Sequence, residues 1–232
     1  MATNTKERIL DAAERLFADH GFPTTSMRDI TNEACVNLAA VNYHFGSKEA
    51  LLIAVLERTT APVNRARLER LDELEARGNT TVPTDQVVRA FLTPLFDKWC
   101  EWGKSDPKFL KLVGRIHAEV DQELRAKFLK KFDTVFQRFS TAFQRSLPEL
   151  DAVEVHWRLL FLLGSMAYTM TWAEAIIATD ARAEREPEAI LESLIQFATA
   201  GMAAAPVTEP VGVRAGRRMR WPVASGLESQ RS

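Results

Sequence analysis

Asn42 lies in a short run, Asn37 to His44, whose other early members are small or apolar, and that combination suits contact with the edges of nucleic-acid bases. Its carboxamide sets a donor beside an acceptor, the geometry that matches adenine in the major groove. Leu38, Ala39 and Ala40 are compact enough for a helix to approach base edges and meet thymine methyls. Tyr43, His44 and Lys48 follow with donors for phosphate oxygens, and helix N-termini near Thr25 and Ser26, at Asn37 and at Lys48 add backbone amides. Arg28 can reach a base or a phosphate, or can form a surface ion pair with Asp29 or Glu33. Phosphate contacts of this kind fix register, and base contacts specify sequence.

The rival chemistry is enzymatic. His117, Glu119 and Asp121 are close in sequence, yet their i, i+2, i+4 spacing does not bring all three to one helical face, and a solvated polar stretch accounts for them. The sequence contains no G-x-S-x-G, P-loop or CxxC pair. His44 has no nucleophile or carboxylate partner specified nearby, so it reads as a phosphate donor and not a base. No catalytic residue, metal ligand or cofactor is assigned. Cys35 and Cys100, far apart, fit reduced thiols in a reducing compartment. Cys35 also leaves open a redox-responsive turn, because oxidation there would distort the base-reading segment.

These residues need helices to hold them. Apolar positions recur at helical spacing in most segments and no strand-like alternation stands out, so the fold is expected to be all-α. Asn4 with Glu7 resembles a capping box, Ile9, Ala13, Leu16 and Phe17 share a face, and Gly21 with Pro23 closes a first helix over about Thr5–His20. Thr25 or Ser26 caps a second short helix to about Ala34; Asn37 caps a third to about His44. Two short helices joined by a tight link are the elements of a helix-turn-helix. A fourth helix starts at Lys48, and Pro62 is expected to end or kink it.

Beyond it the helices lengthen. Residues 77–85 read as a loop, then Val87, Phe91, Leu95 and Trp99 recur four apart. A break at Gly103–Pro107 and a short helix near 107–119 precede a long helix over about 121–146, with a stripe of Phe128, Phe132, Val135, Phe136, Phe139 and Phe143. Further helices are expected over 152–178 and from Pro187 to about Ala204. Residues 156–177 are apolar around much of their circumference, with Gly164, Ala167, Thr171 and Ala175 allowing close approach. That suits a helix packed between two subunits or one fully buried in a monomer.

The ILDAAERLF run, GFPTTSMRDI, VNLAAVNYHF and the following GSKEAL, in order over residues 8–51, resemble the TetR family of bacterial transcriptional regulators. VNLAAVNYHFGSKEAL and FLLGSMAYTM are further similar to PsrA-like members that respond to fatty acids. The resemblance implies a cytoplasmic homodimer, held through its last two long helices, that represses transcription at a palindromic operator in double-stranded DNA. It also implies release by a small lipophilic effector such as a fatty acid or acyl-CoA. A regulator without fatty-acid specificity is the alternative. Cys35 departs from the pattern, standing where the family has a turn glycine, and a side chain at positive φ is uncommon.

The division expected is a DNA-binding domain at 1–46, a ligand-binding and dimerisation domain at 47–205, and a flexible tail at 206–232. Trp99, Phe132, Phe136, Phe139, Met166 and Trp172 are candidate lining for an apolar effector cavity, or ordinary core at helical spacing. The net charge is −1, and the first fifty residues hold five Lys or Arg against seven Asp or Glu. DNA binding must therefore come from local placement of a few donors. The last segment, with five arginines against two glutamates and no periodicity, reads as a basic tail. The N-terminus lacks the apolar run of a signal peptide or membrane span, which points to the cytoplasm and to no membrane partner.

Overall fold

The computed structural model describes residues 4–78, 81–103, 112 and 121–206, and the described residues are helical with no strand. The chain-order elements are α1 (Thr5–His20), α2 (Met27–Glu33), α3 (Leu38–Phe45), α4 (Lys48–Ala76), α5 (Thr84–Gly103), α6 (Gln122–Leu129), α7 (Asp133–Ser146), α8 (Ala152–Thr179) and α9 (Pro187–Met202). Of the expected break at Gly103–Pro107 only Gly103, the end of α5, is described, of the helix near 107–119 only Leu112, which is helical, and of the basic tail only Pro206.

The first three helices start where short polar side chains satisfy free amides. Asn4 Oδ1 accepts from Lys6 N at 3.2 Å, Ser26 and Asp29 form a reciprocal capping box, and Asn37 Oδ1 accepts from Ala40 N at 2.8 Å. At Asn4 the box is not completed: Glu7 turns to Arg58 of α4. Ser47 caps α4 in the same way through Ala50 N.

Pro62 does not end α4, which runs on to Ala76. Pro62 is exposed, while Val63, Arg67 and Leu71 on either side of the following turns are buried, so packing outweighs the missing amide. The helix expected over 121–146 is divided by a 3-10 turn at Lys130–Phe132. The division lets two segments serve two cores. Leu124 packs with the N-terminal core, whereas Val135, Phe139 and Phe143 pack with the larger one.

The N-terminal core joins Ile9, Leu10, Ala13 and Phe17 of α1 to Ile30, Val41, and Leu51, Leu52, Val55 and Leu56 of α4. The larger core draws on α5, α7, α8 and α9, with Phe91 and Phe139 edge to face at 5.1 Å. Helix α4 contributes to both, through Leu51–Leu56 at one end and Leu71 at the other.

Candidate nucleic-acid interface and ligand cavity

Val41 is fully buried and anchors α3 to the three-helix unit, an apolar burial worth about 2 kcal/mol. The opposite side of α3 faces outward. Leu38 and Tyr43 are 45% and 86% exposed, Ala39 and Asn42 are exposed, Ala40 and His44 are half-exposed, and the Tyr43 and His44 rings meet edge to face at 5.2 Å. Among the described residues no hydrogen bond engages the Asn42 amide, so its donor and acceptor are open together. The Asn37 side chain is exposed, with its oxygen on the Ala40 amide.

Neighbouring residues set the angle of this face. Arg8 Nη2 of α1 donates to the carbonyls of Ala34, at 2.5 Å, and Cys35, at 2.8 Å, clamping the turn between α2 and α3. Cys35 adopts φ +50° there, so the turn keeps a left-handed residue despite the side chain. Lys48 Nζ turns inward, donating to Phe22 O at 2.9 Å and Thr25 O at 3.0 Å above the Phe22 ring. Thr25 is buried, its hydroxyl bonded to Gly21 O at 2.7 Å and reaching Leu16 O at 3.2 Å. Ser26 is exposed, with its hydroxyl on Asp29. These two positions build the start of α2.

The acids of this region are largely engaged. Glu7, Asp11 and Glu14 gather round Arg58 of α4, Glu33 pairs with Arg15 at 2.8 Å, and the Ser26 hydroxyl and amide hold Asp29 below its ordinary carboxylate pKa. Arg28, exposed, is in neither of the ion pairs its sequence neighbours offered. A region with more acids than bases thus offers α3 and Arg28 a surface whose negative charges are locally neutralised.

A second site lies in the helical bundle. A cavity of about 320 Å³ is bounded by Thr60, Asn64 and Arg67 of α4, Leu95 of α5, Phe128 of α6 and a face of α8. Of the aromatic and methionine candidates, Phe132 and Met166 line it. Trp99 and Phe139 lie in the core, Phe136 is half-buried against that core, and Trp172 is half-exposed on another side of α8. Arg67 escaped the sequence reading, because a helix expected to stop or bend at Pro62 gave no reason to place residue 67 in a wall. Asp121, the described member of the considered metal trio, caps α6 through Leu124 N at 2.8 Å; His117 and Glu119 lie outside the described residues.

Helix α8 also carries an exposed apolar stripe. Trp157, Phe161, Tyr168, Trp172 and Ile176 are 41–63% exposed at helical spacing, and Phe197 of α9 is 68% exposed. No helix among the described residues is long and apolar enough to cross a membrane.

Two family models match the chain: "Bacterial regulatory proteins, tetR family" over residues 9–55 and "Tetracyclin repressor-like, C-terminal domain" over 89–201. The HTH-type transcriptional repressor NicS of Pseudomonas putida is 30% identical over 132 residues, covering 54% of this chain and 57% of that protein. The match thus spans little more than half of that relative's length. The A-factor receptor protein of Streptomyces griseus is 25% identical over 256 residues, covering 97% of this chain and 90% of the receptor. Among solved structures, the fatty acid degradation regulator FadR from Bacillus halodurans aligns with a TM-score of 0.60 at 16% identity, over 87% of this chain and 97% of that one. At that identity the likeness concerns the fold.

Proposed function

Because the chain belongs to the TetR family of bacterial transcriptional regulators, we propose that it is a cytoplasmic, non-enzymatic repressor that binds a palindromic operator as a homodimer and is released by a small lipophilic effector. The observation that carries this reading is the outward face of α3, where Asn42 stands open beside Leu38, Ala39 and Tyr43 on a helix anchored by Val41. Residues 1–46 form the reading unit, and 47–205 hold the cavity and the subunit contact. The stripe from Trp157 to Ile176 with Phe197 supports the dimer, since two copies facing one another would cover it. On this reading Trp172 belongs to the subunit contact.

The effector is a fatty acid or its acyl-CoA ester. Support comes from the apolar cavity and from the FadR fold likeness. Its signal travels along α4, which lines the cavity at Thr60 to Arg67 and packs under the reading unit at Leu51 to Leu56. A ligand moves the reading helices apart only if it binds the DNA-incompetent conformer more tightly, by about 1–3 kcal/mol for ordinary coupling. Operator must then weaken ligand binding by the same factor. Titrating fatty acids and acyl-CoAs against the protein with and without operator tests this reciprocity. Equal affinity in both conditions would remove effector-driven release for that ligand.

A further inference from the structure

Arg67 is the one cationic side chain among the described residues that is about 1% exposed, and it borders the cavity. Its Nε donates to Phe91 O at 2.8 Å, Nη1 to Asn64 Oδ1 at 3.0 Å, and its guanidinium lies 4.2 Å from the centre of the Phe91 ring. The remaining side-chain contact is a weak one, Nη2 to Met166 Sδ at 3.9 Å. Every one of these partners is neutral. The buried arginine on α8 differs: Arg158 has Glu154 at 2.8 Å and the carbonyls of Met202, at the end of α9, and Ala204, just beyond it.

A guanidinium has five N–H donors, so after its bonds to Phe91, Asn64 and Met166 Arg67 retains donor capacity toward the cavity. Burial lowers its pKa to about 9, which still leaves it protonated at neutral pH. A buried cation held only by neutral groups is unfavourable unless something supplies the counter-charge. The other walls near it, from Val63, Leu95, Phe132, Leu163 and Met170, are apolar. Arg125 of α6 also borders the chamber but is exposed to solvent, so the buried charged fork is that of Arg67, and a buried fork set against apolar walls is the arrangement that orients an amphiphile by its head.

We propose that the cavity receives a free organic acid with its carboxylate on Arg67 and Asn64 and its apolar body among Leu95, Phe132 and Met170. This rests on the effector reading above and narrows it. A thioester carbonyl is neutral and gives Arg67 no counter-charge. A cavity of about 320 Å³, at the small end of the range of roughly 300–1,000 Å³ for ligand pockets, suits a compact acid. The bidentate match of guanidinium and carboxylate favours this head over an alcohol or an ester.

Calorimetric titration of the full-length protein with decanoate and phenylbutyrate, each against the alcohol of the same skeleton and against decanoyl-CoA, tests the assignment. The two acids distinguish an aliphatic from an aromatic body. Wild type should prefer at least one acid over its alcohol by roughly 10- to 100-fold, the effect of charge-assisted hydrogen bonds. Arg67→Met, which keeps the volume and removes the charge, should fold with unchanged or raised melting temperature and bind acid no more tightly than alcohol. Equal affinity of acid and alcohol in wild type, acid preference surviving in Arg67→Met, tighter binding of decanoyl-CoA than decanoate, or no saturable binding of either acid would overturn the proposal. Operator retention on the same samples keeps the two readings apart. Loss of acid preference with operator release intact defeats only the carboxylate assignment, and acid binding without release defeats only effector control.

Discussion

Replacing Lys48 by methionine separates two roles that its position at the start of α4 permits. The ammonium donates to Phe22 O and Thr25 O at 2.9 and 3.0 Å and stands 4.4 Å from the Phe22 ring centre, so it fastens α4 to the link between α1 and α2. Hydrogen bonds from a charged donor contribute about 1.5–3 kcal/mol each, and the ring contact adds about 0.5–1 kcal/mol at an exposed site. Lys48 is only half-buried, and water takes over part of both bonds when the ammonium is gone. The expected loss is therefore about 2 kcal/mol, well under the simple total. For a chain of this length that lowers the melting temperature by about 4–8 °C. Methionine keeps the apolar stem over Phe22, which confines the change to the charge. Calorimetry and operator binding between low and moderate salt form the assay. A clasp predicts the lower melting temperature with an unchanged slope of log affinity against log salt. A phosphate contact predicts an unchanged melting temperature and a slope smaller by about 0.9. The second pattern would refute the inward role assigned to Lys48.

Trp157→Asp combined with Phe161→Asp places charge on the exposed stripe of α8 without touching the core, and sedimentation should then give a mass near 26.1 kDa in place of twice that value; a persisting dimer would remove this stripe from the subunit contact. Cys35→Gly relieves a left-handed side chain costing about 1–2 kcal/mol and adds unfolded-state freedom of about 0.5–1 kcal/mol, so denaturation should show a net gain of roughly 0.5 kcal/mol, and a loss above about 1 kcal/mol would mean the thiol itself stabilises the turn. Asp29 has a folded pKa held below 3.8 by Ser26, so its contribution is complete at higher pH and fades as pH falls through that range; the stability difference between wild type and Asp29→Asn should shrink on acidification from pH 6 to about 3, and a pH-independent difference would contradict the Ser26 pairing.

Local chemistry made the two short helices of the reading unit legible. Ser26 and Asn37 announce α2 and α3 because a short side chain satisfying its own helix's amides acts over three residues. The all-helical class follows likewise from spacing along the chain. What escaped depends on residues far apart. Arg8 reaches a turn 26 residues away, Lys48 a loop 23 residues away, and Arg67 a carbonyl 24 residues away. A sequence gives the charges but not the partners. Pro62 misled for a related reason: a missing amide is a local penalty, and the buried side chains that outweigh it belong to tertiary packing. The break at Lys130–Phe132 is invisible in an aromatic stripe that reads as continuous, since only the existence of two cores makes the two halves face differently.

Selection of fragments from the source genome by the purified protein, followed by footprinting with wild type and Asn42→Ala, bears most directly on the claim that the exposed face of α3 reads DNA. Wild type should enrich one inverted repeat whose half-sites lie about 10 bp apart or a multiple of that, with protection in two successive major grooves. Asn42→Ala should keep its fold and its non-specific binding while discrimination against mutated half-sites falls by about 1–3 kcal/mol. No enriched repeat, or an Asn42→Ala protein that prefers the same repeat as strongly as wild type, would contradict the account.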